Sequence, residues 1–288
     1  MEKQLSIALC QMMSVASKEE NLARAAWMIK QAADKGADLV VLPEVFNAPY
    51  QADLFPVYAE TYPGPTTEFL SRMARENNIL LAGGSIIEEC RGKLYNSSFV
   101  FDEGGNLLGR HRKIHLFDVD MPGRITFKES DTLSPGHNLT LIKHRKVVFG
   151  LLICYDIRFP ELARALALAG AELLILPAAF NHTSGPLFWE LMMRSRAVDQ
   201  QVYLAAAAPA FNPEAEYPAW GKSMIVDPWG RILAQADQQE ELILANLDFS
   251  VNLQVRKEIP LINHRRTDLY RLNYKTPKNI ESTIEEDD

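Results

Sequence analysis

An eight-residue pattern in this chain occurs twice: Gly36-Ala-Asp-Leu-Val-Val-Leu-Pro43 returns as Gly170-Ala-Glu-Leu-Leu-Ile-Leu-Pro177. Each copy reads as the glycine stop of a helix followed by a buried strand. Before the first copy lie an apolar strand, Leu5–Cys10, and a helix marked by Leu22, Ala25, Ala26, Ile29 and Ala33 at helical spacing. Ser17-Lys-Glu-Glu20 opens that helix as a capping box in which Ser17 and Glu20 can satisfy each other's backbone donors. Before the second copy lie the apolar strand Val147–Ile153 and a helix with Pro160 in its first turn and Leu162, Ala165, Leu166 and Ala169 on one face. A second pair, Phe99–Leu108 and Met224–Leu233, reads as two β-hairpins turning at an Asp and a Gly. Chance similarity of short apolar strings is the alternative, but the pairs keep the same order. The halves at about 5–113 and 147–245 therefore look like copies of one β-α-β plus hairpin unit, too few and too divergent for a solenoid. Two such mixed sheets packed face to face bury both strand sets in one core. The expectation is an α/β fold, a four-layer α-β-β-α sandwich with a pseudo-two-fold repeat, within a single domain over 1–255.

Composition narrows the partners. Hydrophobic residues are 47% and charged residues 23% of 288, so disorder and fibrous folds drop out. The formal net charge is −7 with no long basic stripe, which argues against nucleic acid and anionic membranes. The longest apolar runs fall far below the ~20 residues of a membrane span, and Met1–Met13 carries Glu2 and Gln11 where a signal peptide stays apolar. A cytoplasmic protein is expected. The three cysteines, Cys10, Cys90 and Cys154, lack disulfide or metal-finger spacing and are read as separate thiols. Residues 256–288 read as a C-terminal extension. In it a sheet edge or a partner subunit holds Ile259–Tyr274, and Glu281–Asp288 is a mobile acidic tail.

Cys154 ends the strand Val147–Ile153 and precedes a helix, a placement that presents a side chain at the carboxyl edge of a sheet beside backbone N–H donors. A buried structural cysteine is the alternative. Cys10 occupies the equivalent place in the first half but has no charged neighbour like Asp156 or Arg158, so it reads as core, and Cys90 as a loop residue. Glu44 is the strand-end residue after the first repeat, and the pseudo-symmetry puts it at the same rim as Cys154, where a carboxylate can serve a thiol as general base. Otherwise it is a surface Glu. Lys113, after the first hairpin, offers a cation that can favour thiolate or hold an oxyanion; the alternative is an exposed basic strand. His111, His115, Asp118 and Asp120 share its segment without a metal-site motif, so no metal is expected. His182 and His264 lie in no protease-like context, and Leu152–Asp156 lacks the elbow of a glutamine amidotransferase.

Leu42-Pro43-Glu44, Arg112-Lys113-Ile-His-Leu116 and Cys154-Tyr-Asp-Ile-Arg-Phe159 together resemble the three signature regions of the nitrilase superfamily of carbon–nitrogen hydrolases, a likeness that runs from about Leu5 to Tyr270. The resemblance implies Glu44 as general base, Lys113 as oxyanion stabiliser and Cys154 as nucleophile, with Glu129 as a second glutamate orienting the lysine. It also implies a homodimer or higher homo-oligomer with contacts through the helical faces and the 256–288 extension, and no cofactor is suggested. Pro43–Tyr50, His115–Glu129 and the stretch from Ala179 to Asp199 are most similar to omega-amidases, which hydrolyse 2-oxoglutaramate and 2-oxosuccinamate. Deaminated-glutathione amidases share Cys154–Glu161 and remain an alternative, while Phe46-Asn47 and Phe180-Asn181 favour omega-amidase. A non-catalytic scaffold retaining the fold is the reading from a different class. A small diacid monoamide brings a carboxylate that needs a cation besides Lys113. Arg158 is the first candidate, or else an ion-pair partner of Asp156 or Glu161. Phe46, Tyr50, Phe117, Phe180 and Trp189 can wall the pocket, although each taken singly is more often core than site; Asn181 is a weaker polar candidate, and the Tyr155 backbone N–H can share the oxyanion.

Overall fold

The computed structural model describes residues 3–145 and 147–277, so the acidic stretch Glu281–Asp288 lies outside the described residues. Six strands of the first half come in chain order: β1 (Gln4–Gln11), β2 (Leu39–Val41), β3 (Leu80–Ala82), β4 (Ile86–Cys90), β5 (Lys93–Phe101) and β6 (Leu107–Arg112). A two-stranded ribbon follows, β7 (Asp118–Met121) with β8 (Ile125–Lys128). The second half supplies β9 (Thr140–His144), β10 (Val147–Leu151), β11 (Leu173–Pro177), β12 (Tyr203–Ala207), β13 (Met224–Val226) and β14 (Ile232–Gln235), and β15 (Glu241–Asp248) closes the series. One sheet runs β15-β1-β2-β3-β5-β4 with β6 also on β5, and the other β14-β13-β12-β11-β10-β9. In each sheet the three strands flanking the repeat (β1-β2-β3 and β10-β11-β12) are parallel.

The helices are α1 (Lys18–Asp34), α2 (Phe55–Tyr58), α3 (Pro65–Asn77), α4 (Pro160–Leu168), α5 (Gly185–Gln200) and α6 (Ser250–Glu258). The period-two alternation of a strand assigns the layers. Ile7, Leu9, Leu39 and Val41 form one cluster with Phe149, Leu151, Leu173 and Ile175, the seam between the sheets. The alternate residues Ala8, Cys10, Val40 and Leu42 pack with Ala25, Ile29 and Leu70 of α1 and α3. Leu174, Leu176 and Leu204 pack with Leu162, Leu166 and Met193 of α4 and α5. The four layers are thus α-β-β-α, as the repeat implies.

The pseudo-symmetry reaches single hydrogen bonds. Past the first helix of each half, Ala37 N–H reaches Ala32 O and Ala171 N–H reaches Leu166 O; Asp38 N–H then reaches Ser6 O, and Glu172 N–H reaches Val148 O. In the two hairpins the Asp102 carboxylate accepts the Gly104 and Asn106 N–H groups, and the Asp227 carboxylate those of Trp229 and Arg231. Two expectations are corrected. Ser17 accepts the Glu20 N–H, but the reciprocal half of the capping box is replaced by the Ser17 hydroxyl donating to the Glu19 carboxylate. Among the described residues, those from 259 to 274 form turns, so of the two expected holds the sheet edge does not apply, and the edge next to β1 is taken by β15 over eight residue pairs. Among the described residues no helix is long and apolar enough to cross a membrane.

Candidate active site

Four charged or nucleophilic side chains converge where strands of both halves end. Glu44 follows β2, Lys113 follows β6, Cys154 follows β10, and Glu129 opens a short 3₁₀ turn after β8. All four are almost wholly buried, Cys154 the most open at 5%.

Their backbone is held in place from beneath. Val45, next to Glu44, has φ +47°, and Cys154 has φ +46°, a region that costs a residue other than Gly about 1–3 kcal/mol and persists only where neighbours impose it. The Glu44 turn is strapped to the 83–85 segment: Val45 N–H donates to Ser85 Oγ at 3.0 Å and Ser85 N–H to Pro43 O at 3.2 Å. That approach requires glycine at 84, because a Cβ there meets Pro43 O at 2.1 Å. Gly136 plays the same part for the lysine: its N–H binds Lys113 O at 2.8 Å, and a Cβ would meet Arg112 O at 2.2 Å.

Lys113 Nζ donates to Glu44 Oε1 at 3.0 Å and to Glu129 Oε1 at 2.9 Å. Burial works against its charge, but Glu129, then Glu44, outweigh that and push its pKa up. Glu44 Oε1 also accepts from Asn96 Nδ2 at 2.9 Å, its Oε2 accepts the Ala179 N–H at 2.7 Å, and the Cys154 thiol lies beside the carboxylate. Burial, and repulsion from Glu129, raise the Glu44 pKa against the pull of Lys113. Burial and the neighbouring Glu44 carboxylate raise that of Cys154 well above the usual thiol range, so sulfur keeps its proton at rest. Glu129 is fixed through Phe117 N–H at 2.6 Å and the Tyr50 hydroxyl at 2.7 Å. A thiol, a carboxylate with raised basicity and a buried cation in mutual contact can move a proton off sulfur as it attacks carbon and offset the charge that develops on oxygen.

Carbon–nitrogen hydrolase is the family whose profile matches residues 6–257. The chain belongs to it. It is 49% identical to omega-amidase NIT2 of Mus musculus over 271 residues, 94% of this chain and 98% of that protein. It is also 50% identical to omega-amidase NIT2 of Xenopus tropicalis over 269 residues, 93% and 98% of the two chains. Among solved structures it matches Saccharomyces cerevisiae Nit3, of the nitrilase superfamily, with TM-score 0.85 and 43% identity over 92% of this chain and 97% of that one. A Nesterenkonia amidase, TM-score 0.73 and 25% identical over 92% and 95%, carries the acetamide moiety of fluoroacetamide covalently added at its active-site cysteine in one mutant. The chain is therefore a carbon–nitrogen hydrolase that acts on amides.

In this hydrolase the remaining sequence candidates fall into two groups. Tyr50 is more central than a pocket wall: its hydroxyl contacts Glu129, Glu44 at 3.3 Å and Lys113 at 3.3 Å. Phe117 meets Tyr155 edge-on at 5.1 Å, and Phe180 meets Trp189 at 5.1 Å. Arg158 makes no ion pair with Asp156 or Glu161 among the described residues; its guanidinium lies 4.3 Å over the Phe188 ring and 5.3 Å over Phe180, and its Nε is buried without a partner. Asn181 Oδ1 accepts the N–H groups of Thr183 and Ser184 at the start of α5. Tyr155 lies in the turn that begins at Cys154. Phe46 and Trp189, by contrast, belong to the layers beneath α1 and α5, and Cys10 sits in the same apolar layer as Phe46 with its pKa pushed up by burial. Asn96, the Ala179 N–H, Phe127 and Tyr217 escaped the sequence reading. The repeat aligns Glu44 with Ala178, one residue short of Ala179, and so gave no sign of that N–H.

Two cavities, about 330 and 640 Å³, share a wall of Tyr50, Gln51, Glu216 and Tyr217. The smaller reaches Glu44 and Ala179; the larger opens past Phe127, Asn181 and His182 toward Arg124 and Lys128 on the β7-β8 ribbon.

Proposed function

We propose that the protein is an omega-amidase that hydrolyses the terminal amide of short 2-oxo diacid monoamides, such as 2-oxoglutaramate and 2-oxosuccinamate, through a thioester on Cys154. The observation that carries the mechanism is the shared carboxylate: Glu44 binds the Lys113 ammonium at 3.0 Å and stands beside the Cys154 thiol. Glu44 takes the thiol proton as sulfur attacks the amide carbon, and Lys113 with the Tyr155 backbone N–H holds the oxyanion. The C–N bond breaks as Glu44 returns the proton to nitrogen, and ammonia leaves. Glu44 then takes a proton from water as its oxygen attacks the thioester carbon, and passes it to the departing sulfur. Glu129 and Tyr50 hold Lys113 in place. The substrate class rests on the omega-amidase relatives and on the Arg158 guanidinium, which stands among aromatic rings with an unpartnered Nε.

The test measures ammonia release from 2-oxoglutaramate, deaminated glutathione and a neutral short amide, with the wild type and Arg158→Ala. The wild type turns over 2-oxoglutaramate fastest. Loss of a charge-assisted pair raises KM for that substrate by about 10- to 100-fold in the variant and leaves the neutral amide nearly unchanged. Faster turnover of deaminated glutathione, or equal KM changes on both amides, contradicts the assignment. We further propose a cytoplasmic homodimer that covers the exposed Leu187, Leu191, Leu269 and Tyr270; sedimentation at the monomer mass would contradict the dimer.

A further inference from the structure

Asp156 is a fully buried carboxylate with no place in the chemistry above. Its Oδ1 accepts the His115 backbone N–H at 2.9 Å and contacts His115 Nδ1 at 2.8 Å; its Oδ2 accepts the Ile153 N–H at 3.0 Å and contacts His111 Nε2 at 3.2 Å. Burial opposes its ionisation, but the bonds from His111 and His115 outweigh that and hold the carboxyl below the usual range. An ionised carboxylate only accepts, so both imidazoles present an N–H to it.

Those four donors come from the two segments that carry the reacting groups. His111 and His115 stand two residues to either side of Lys113, and Ile153 immediately precedes Cys154. A second tie lies at the far end of the Cys154–Arg158 turn, where the His115 ring stacks on Phe159 with centroids 3.6 Å apart and planes 9° off parallel. The lysine segment therefore grips the nucleophile turn at its entry through the Asp156 carboxylate and at its exit through a ring. Such a grip suits a turn whose first residue is held at φ +46°.

We propose that Asp156 is a positioning residue that sets the placement of the Cys154 thiol relative to the Lys113 ammonium by binding backbone on both sides. It touches neither the reacting atoms nor the cavities, and the proposal rests on the reading of Cys154 and Lys113 given above. A misplacement of about 1 Å can cost on the order of 10² in rate. Asp156→Asn keeps the shape, but its amide NH₂ must face one of the two donor pairs, leaving the His115 or the Ile153 N–H opposite another N–H.

The experiment counts intact sites first, as the folded fraction given by circular dichroism and thermal melting, and then expresses kcat per folded site. Loss of fold lowers the count; loss of positioning lowers kcat per site. For Asp156→Asn the expected result is a kcat per site about 100-fold down, with KM for 2-oxoglutaramate within roughly threefold of wild type. Combined with Lys113→Ala, the two losses should be far less than multiplicative, because both act on the same pair. His115→Phe keeps the stack on Phe159 and removes one imidazole donor, so it supplies the answer if the Asn variant does not fold; a drop of about tenfold in kcat per site is expected. Wild-type kcat per site in either variant, or multiplying losses in the double variant, overturns the proposal. A wild-type enzyme that shows no thioester on Cys154 would instead overturn the mechanism on which it rests.

Discussion

Cys154→Ala is expected to lower amide hydrolysis by about 10⁶-fold, the scale on which other covalent hydrolases lose rate when the nucleophile is removed. Cys154 is 5% exposed, stands beside Glu44, and begins a turn with φ +46°, a backbone arrangement that has no packing role an alanine would fail to fill. Because Ala is smaller and apolar, the turn and the Asp156 bonds to Ile153 and His115 should survive, and circular dichroism and thermal melting should stay near those of the wild type. Ammonia release measured with excess enzyme checks the rate. Activity within tenfold of wild type would remove Cys154 from the chemistry.

The second large effect is that of Glu44→Gln, for which a fall in kcat of about 10²–10⁴ follows from losing a general acid–base group. Gln also cannot accept everything that Glu44 accepts: Oε1 faces Lys113 and Asn96, Oε2 faces the Ala179 N–H, and an amide nitrogen at either place meets donors. The wild-type pH profile carries the same signature. The base form must take the thiol proton, so kcat/KM declines as pH falls through the Glu44 pKa, which burial and then Glu129 raise above its ordinary value. The acid limb should therefore lie above the usual carboxylate range of about 4.3. An acid limb at that ordinary value, or a Gln variant with near-normal kcat, would show that another group is the base.

The fold was legible in the sequence because its repeat is built from local rules. The helix stops at Gly36 and Gly170, the strand runs before Pro43 and Pro177, and the Asp turns at 102 and 227 each obey a short-range preference that survives divergence. β15 was not legible: it follows the second half in the chain but pairs with β1 of the first, and a pairing partner so distant leaves no local pattern. In the site, Glu44 and Cys154 could be placed because strand ends are readable, and symmetry puts them at one rim. Lys113 was readable only as a cation after the first hairpin, which an exposed basic strand would equally explain, and Glu129 entered through family likeness alone. The Ala179 N–H carries no side-chain signal, and Asn96 sits in a buried polar run, Asn96-Ser97-Ser98, that reads as an ordinary edge strand. Phe46 could be read as pocket wall or as core, and it is core: past the sharp turn at Val45 it packs in the layer beneath α1 and α3.

The thioester tests the central claim most directly. Wild-type enzyme turning over 2-oxoglutaramate is quenched in acid, digested and weighed peptide by peptide. The account predicts that the peptide containing Cys154 gains the mass of the substrate less ammonia, while those containing Cys10 and Cys90 stay unmodified. Sustained ammonia release with the Cys154 peptide never acylated, or with the acyl group on another residue, would contradict it.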